Sequence, residues 1–344
     1  MSPTNNGNPI IEVHDLKKTF ELPLGLIQTL LRHKPEVVTA VDQVDLTISK
    51  GEILGVVGES GCGKTTLLRC IAKLYPPDSG EILFEGRDIL SMSHNEMRLE
   101  RRKIQVVFQD PYSSLNPRMS VGQILGEILS VHKIVPPEKK KDRMVELLEM
   151  VGLNADALHR LPSQFSGGQR QRIGTARALA MEPTVLLADE PVSALDVSIQ
   201  AQVINLLMDL QAKLGLTMMF ITHDLRVVRH ISDRIAVMYL GKILEVGPTD
   251  KIFSHPMHPY TRALLAAAPE LDPTIRNEVS ALQGDPPSPI HIPPGCRFHP
   301  RCSLAVESCK TGIPPLLEIE PGHFAACPIT AFSEASQPKT NKVS

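Results

Sequence analysis

Eight consecutive residues, Gly58, Glu59, Ser60, Gly61, Cys62, Gly63, Lys64 and Thr65, have the types and spacing needed to hold a polyphosphate. They fit the pattern G-x-x-x-x-G-K-[ST]. The glycines let successive backbone N–H groups converge on phosphate oxygens, and a helix beginning here adds the positive end of its dipole. Lys64 brings a point charge toward the β- and γ-phosphates, and the Thr65 hydroxyl suits Mg²⁺. The flanks strengthen the reading. Glu52 to Val57 is a short apolar run expected to be a buried strand, and Thr66 to Leu74 is apolar at helical spacing. Strand, glycine-rich turn and helix, in that order, indicate a nucleotide site.

Three further groups have the chemistry to act on a bound nucleotide. Asp189 and Glu190 follow the apolar run Thr184 to Ala188, a strand expected to be covered on both faces. Asp189 suits the hydration shell of Mg²⁺, and Glu190 can orient or deprotonate an attacking water. His223, at the end of the run Thr217 to Ile221, can hydrogen-bond a γ-phosphate. Gln109 ends the strand Lys103 to Phe108, where a sheet presents ligand groups, although an ordinary strand-end glutamine fits as well. Phe20 offers an adenine ring a flat partner, and an ordinary core or surface phenylalanine is an equal reading. In Ser166-Gly167-Gly168-Gln169-Arg170, Ser166 reads as a helix cap and the glycines leave the next N–H groups unobstructed. The helix Gln169 to Ala180 would be a second anion-binding end, more than one nucleotide needs from one chain.

The elements that must position these groups follow from length and pattern. With 344 residues, 36 basic against 38 acidic side chains and 42% hydrophobic content, the chain suits one large or two modest globular domains. Balanced charge gives no footprint for nucleic acid. No apolar run approaches the ~20 residues of a membrane-spanning helix, and the polar start Met1 to Pro9 lacks a signal-peptide layout. The expectation is a cytoplasmic protein that reaches a membrane through partners. Strands over 10–16 and 37–48 form a β-rich entry, and a hairpin is expected at Glu85-Gly86. From Ser120 to about Ala180 the periodicity is helical, suggesting an insertion. Strands then alternate with helices to a hairpin at Gly241, indicating a mainly parallel sheet. Beyond Ala268 the composition shifts: 12 of the 29 prolines and four of the six cysteines fall between Pro269 and Pro328.

Taken in order, Gly58 to Thr65, Gln109, Ser166 to Arg170, Leu186 to Glu190, Ser193 to Asp196 and His223 resemble the full motif set of an ABC transporter ATPase subunit, over roughly Ile10 to Ala268. The resemblance implies an α/β P-loop NTPase core with an antiparallel β subdomain and a helical subdomain at about 115–180. It implies a head-to-tail dimer in which Ser166, Gly167, Gly168 and Gln169 complete a neighbour's ATP site. By the same carry-over Gln109 senses Mg²⁺ and the γ-phosphate and couples to the membrane partner, Asp196 organises the dimer interface, and Phe20 stacks on adenine. The tail, with His258 to Leu265, Gly295 to Cys302, Cys309 and Ala326 to Pro328, resembles that of oligopeptide/dipeptide importer ATPases. Relatives of that group carry nickel, glutathione or oligosaccharides. The implied partners are a second ATPase subunit, two transmembrane permease subunits and, indirectly, an extracytoplasmic solute-binding protein, with the chain peripheral on the cytoplasmic face of the membrane. The rival classes are a soluble, non-transport ABC ATPase, whose long coiled coil, zinc hook or fused halves are not visible, and a small-molecule kinase, which leaves Ser166 to Arg170 unexplained.

The implied domains are a tail over 1–9, a nucleotide-binding domain over 10–268, a Cys/Pro-rich C-terminal appendage over 269–330 and a tail over 331–344. Cys296, Cys302, Cys309 and Cys327 are spaced C-x5-C-x6-C-x17-C, which is not zinc-ribbon spacing. Disulfides suit a reducing cytoplasm poorly. Four thiolates could take a [4Fe–4S] cluster or Zn²⁺, or stay unligated, with Arg297 and Arg301 offsetting their charge. The family resemblance implies the [4Fe–4S] cluster. Cys62, beside Lys64 at a helix start, is expected to have a lowered pKa and a reactive thiol.

Overall fold

The computed structural model describes residues 8–23, 35–110, 115–267, 284–285 and 287–329. The expected tails over 1–9 and 331–344 lie, apart from residues 8 and 9, outside the described residues, as does most of the segment joining 267 to 287.

Two sheets carry the fold. Strands β1 (Pro9–Glu21), β2 (Val37–Ser49), β4 (Ser79–Phe84) and β5 (Arg87–Asp88) form an antiparallel sheet in the order β2-β1-β4-β5. The turn between β4 and β5 is the expected Glu85-Gly86, both at positive φ, as the tight two-residue hairpin requires. The larger sheet contains β3 (Ile53–Val57), β6 (Ile104–Val107), β7 (Val185–Asp189), β8 (Thr217–Ile221), β9 (Arg234–Tyr239) and β10 (Lys242–Pro248). Its strands run β9-β3-β8-β7-β6 in parallel, so their carboxyl ends share one edge. Strands β3, β7 and β8 are buried at every position, which explains their unbroken apolar runs.

Helices pack on this sheet. They include α1 (Lys64–Ile71), which leaves the phosphate loop, and α2 (His94–Lys103), which leads into β6. The expected helical insertion is present as α3 (Val121–Val131), α4 (Lys140–Met150) and α5 (Gly167–Leu179). It has a core of its own, with Leu125, Leu147, Leu148, Val151 and Ile173 buried together. Ser120 and Gln123 cap α3 reciprocally, satisfying N–H groups that the helix cannot. Next come α6 (Val197–Leu214), stopped by Gly215 in the left-handed region, α7 (Leu225–Ile231), α8 (Thr249–Ser254) and α9 (Pro259–Ala267).

The Cys/Pro-rich stretch departs from the expected appendage. Strands β11 (Leu317–Glu320) and β12 (His323–Ala325) extend the large sheet, β12 pairing antiparallel with β10 through Glu245–Ala325 and Val246–Phe324. Cys296, Phe298, Cys309 and Ala326 share one apolar cluster with Val57, Tyr239, Leu244 and Tyr260. Short strands with few apolar residues carry little periodicity, so this continuation of the core was not visible in the pattern. Beneath it, Glu245 is fully buried and accepts N–H bonds from Met257 (2.7 Å) and His258 (2.9 Å), with His323 Nε2 at 2.8 Å.

Candidate nucleotide site

The loop after β3 is built around its glycines. A Cβ on Gly58 would lie 2.0 Å from the Met238 carbonyl oxygen, and one on Gly63 2.0 Å from that of Ala40. Neither position admits another residue. Gly63 is also the N-cap of α1, with no side-chain cap, and the first turn carries no acidic residue, so the free N–H groups there stay available to an anion. Ser60 and Gly61 form the exposed tip, with Cys62 buried behind it and Thr66 half-buried in the first turn. The Gly241 N–H anchors the Cys62 carbonyl at 2.8 Å.

Lys64 is 4% exposed, and its ammonium bonds the loop's own carbonyls, Gly58 at 2.8 Å and Glu59 at 3.0 Å. The charge is therefore held inside the cradle. The Thr65 hydroxyl donates to Asp189 Oδ1 at 2.8 Å across 124 residues of sequence. Burial raises the Asp189 carboxyl above the ordinary range, with the Thr65 bond opposing it. A hydroxyl and a carboxylate side by side at the start of α1 are oxygen donors that fit Mg²⁺ with its retained waters.

Beside this pair, Glu190 is a hub. Gln109 Nε2 lies 3.3 Å from its Oε2 and also 3.3 Å from Ser193 Oγ, and His223 Nδ1 lies 3.3 Å from the same carboxylate oxygen. Glu190 has φ 45°, a left-handed conformation that non-glycine residues rarely adopt. Its side chain is 17% exposed against 60% for His223, so the carboxylate is sheltered and the imidazole reaches outward. Residues from the ends of β3, β6, β7 and β8 thus meet at one edge, as parallel-sheet topology requires.

Ser166 caps α5 and forms a reciprocal box with Gln169, whose Oε1 accepts the Ser166 N–H at 3.1 Å. Among the described residues no hydrogen bond joins Ser166, Gly167, Gly168 or Gln169 to the phosphate loop. Instead this helix end packs on the segment after Glu190: Cβ atoms at Gly167 and Gly168 would lie 3.2 Å from Leu195 Cδ2 and 2.3 Å from Ile199 Cγ2. Asp196 is exposed at the N-cap of α6. Phe20, half-buried on β1, meets Tyr75 edge to face at 5.5 Å, with the Lys18 ammonium 5.3 Å from its centroid.

Two expectations about sulfur are overturned. Cys296, Cys302, Cys309 and Cys327 do not make a [4Fe–4S] or zinc site: none of the four forms a disulfide, and among the described residues no group of three or more His, Cys, Asp or Glu is arranged to hold a metal ion. Cys296 and Cys309 are buried among aromatic and aliphatic side chains. Burial pushes the Cys296 thiol up to about 11 and raises Cys302 as well. The flanking arginines have carboxylate partners. Arg297 bonds the Asp42 carboxylate and the Leu240 carbonyl, and Arg301 pairs with Glu59 of the phosphate loop. Cys62 also departs from expectation, since burial raises its pKa despite Lys64.

A cavity of about 800 Å³ lies away from the phosphate loop, between the β1–β2 sheet, β10 and Cys296-Arg297. Its cations Arg234, Lys242 and Arg297 are already paired with Glu52 and Asp42.

Residues 41–193 match the ABC transporter family model, and residues 244–309 match the oligopeptide/dipeptide transporter C-terminal region. An oligopeptide transport ATP-binding protein of Bacillus subtilis is 49% identical over 325 residues, covering 94% of this chain and 98% of its own. A dipeptide transport ATP-binding protein of Haemophilus influenzae is 47% identical over 319 residues, covering 93% of this chain and 96% of its own. A putative peptide import ATP-binding protein of Brucella abortus is 50% identical over 310 residues, covering 89% and 98%. Among solved structures, a dimeric ATP-binding cassette bound to ADP and Pi aligns with TM-score 0.60 at 30% identity, covering 70% of this chain and 98% of that one. On these grounds the chain belongs to the ABC transporter family of ATPases, as an ATP-binding subunit that carries the oligopeptide/dipeptide transporter C-terminal region.

Proposed function

We propose that this chain binds and hydrolyses ATP to energise the import of short peptides through a membrane permease. The reading rests above all on the Glu190 carboxylate, flanked by Gln109 and His223 and adjacent to the Thr65–Asp189 pair. Peptide as cargo is supported by the names of relatives in Bacillus subtilis and Haemophilus influenzae, an oligopeptide and a dipeptide transport ATP-binding protein.

In this reading the backbone N–H groups of Gly58 to Thr66 hold the phosphates, and Lys64 turns its ammonium from the loop carbonyls to the β- and γ-phosphates. Mg²⁺, held on Thr65 with Asp189 and Gln109 reaching it directly or through water, would neutralise charge on those phosphates. Glu190 orients the attacking water and takes its proton, while His223 hydrogen-bonds the γ-phosphate. Phe20 stacks on the adenine.

A second subunit, identical or paralogous, supplies Ser166, Gly167, Gly168 and Gln169 to complete the site, since this helix end makes no hydrogen bond to its own phosphate loop. Two permease subunits receive the motion through the helical subdomain and the Gln109 loop, and a solute-binding protein outside the membrane delivers cargo. Among the described residues no helix is long and apolar enough to cross a membrane, which fits peripheral attachment at the cytoplasmic face. The division into a nucleotide-binding domain over 10–268 and a C-terminal region over 269–330, with tails at 1–9 and 331–344, belongs to the same proposal.

Co-purification from detergent-solubilised membranes with two integral-membrane subunits, followed by reconstitution in vesicles, tests the reading. Glu190→Gln should bind ATP but cut turnover and tripeptide uptake roughly 10²–10⁴-fold. Unchanged turnover in that variant, or recovery without membrane subunits, would overturn it.

A further inference from the structure

The second residue of the phosphate loop is a glutamate, the wrong sign for a loop that must hold a polyphosphate. The structure deals with it from a distant part of the chain. Arg301, 242 residues away, sets its two terminal nitrogens on the two Glu59 carboxylate oxygens at 2.8 and 3.1 Å. The Arg301 side chain is 6% exposed, and its guanidinium also donates to the Tyr239 hydroxyl at 3.3 Å. Tyr260 on α9 acts on the same residue: its buried hydroxyl accepts the Glu59 N–H at 3.0 Å. Tyr260 is held in turn by Tyr239 and Phe298, with ring centroids at 4.6 and 5.3 Å. The Glu59 carbonyl is one of the two oxygens that receive the Lys64 ammonium.

The geometry points to Arg301 and Tyr260 as positioning residues of the nucleotide site. They neutralise and orient Glu59, so that the loop presents donors rather than a bare carboxylate to the phosphates. A two-pronged guanidinium–carboxylate pair fixes direction as well as charge, which a lysine could not do. Anchoring the Glu59 backbone also fixes one of the carbonyls on which Lys64 rests. The C-terminal region thereby becomes a working part of ATP binding, in addition to extending the sheet. This inference deepens the assignment of Gly58 to Thr65 as an ATP site and rests on it.

The test is Mg-ATP affinity and the KM–kcat split in the full chain, with unfolding temperature measured alongside. Arg301→Ala should raise the Kd and KM for ATP about 10- to 100-fold, since it leaves a sheltered carboxylate unpaired beside the phosphates, and kcat at saturation should change far less. Adding Glu59→Gln to Arg301→Ala should restore most of the lost affinity, because no unpaired charge is left. A purely structural role for Arg301 would show no such rescue. Tyr260→Phe keeps the aromatic packing, removes one acceptor, and should raise KM about threefold to tenfold; it decides the question if Arg301→Ala does not fold. Wild-type ATP affinity in folded Arg301→Ala, absence of rescue, or an unchanged KM in Tyr260→Phe would overturn the inference. Lys64→Ala separates the two levels: if that variant binds ATP normally, the ATP-site assignment itself fails. If it loses ATP while Arg301→Ala does not, only the positioning role fails.

Discussion

Glu190, Asp189, Gln109 and His223 were legible as residues because each ends an apolar strand, and strand ends in a parallel sheet converge. Glu59 was read only as a position within the loop pattern, because its partners Arg301 and Tyr260 lie some 200 residues or more away and nothing local points to them. The cysteines were read by type, spacing and family resemblance, none of which encodes the burial of Cys296 and Cys309 among aromatic rings. His258 carries a further consequence at this scale. Its Nδ1 accepts the Tyr260 N–H at 3.0 Å, and the residue is 1% exposed, with Glu245 and Arg262 as the charged groups acting on it. Burial pushes its pKa down from 6.5 to about 4, Arg262 acting the same way and Glu245 in opposition. The folded chain therefore keeps His258 neutral where the unfolded chain would protonate it. Stability from this group is fully present above pH 6.5 and is lost as pH falls toward 4, by about 3 kcal/mol. His258→Asn, whose side-chain oxygen can still accept the Tyr260 N–H, should show a smaller fall in unfolding temperature over that window. An identical fall would show that His258 does not titrate there.

Among elements, the most informative is α5. Its N-cap was expected at Ser166, and the structure shows it as a reciprocal capping box with Gln169. The packing of its first turn against Leu195 and Ile199 was not visible, because it depends on how the insertion folds back on the sheet. That contact links the helix end to the segment that follows Glu190. Gly168→Ala would place a methyl group 2.3 Å from Ile199 Cγ2, and one of the two must shift. ATP hydrolysis in the assembled complex should fall about 10- to 100-fold through misplacement of the α5 terminus, while ATP binding to the isolated chain is kept. Equal hydrolysis in variant and wild type would show that the Gly168–Ile199 spacing does not matter. Helix α6 stops at Gly215, whose left-handed conformation suits glycine.

Across the whole molecule, the alternation of strands and helices was enough to expect a mainly parallel sheet, and the family resemblance implied the antiparallel sheet before it. What escaped the reading was the far side of that sheet, where β12 and β11 continue it antiparallel beyond β10 and are built from residues that look like linker. Their placement has a colloidal consequence. Strand β12 covers backbone groups of β10 that would otherwise face water, and β11 forms the outer border with Glu318 and with Glu320, which pairs with Lys251 at 2.9 Å. Acidic side chains at such a border discourage another chain from adding on. A chain cut short before Leu317 would lay the flank of β10 bare and strip Glu245 of His323. Light scattering should then show that the shortened protein self-associates at concentrations where the full chain stays dispersed; equal dispersion would mean that the last two strands are dispensable as a shield against aggregation.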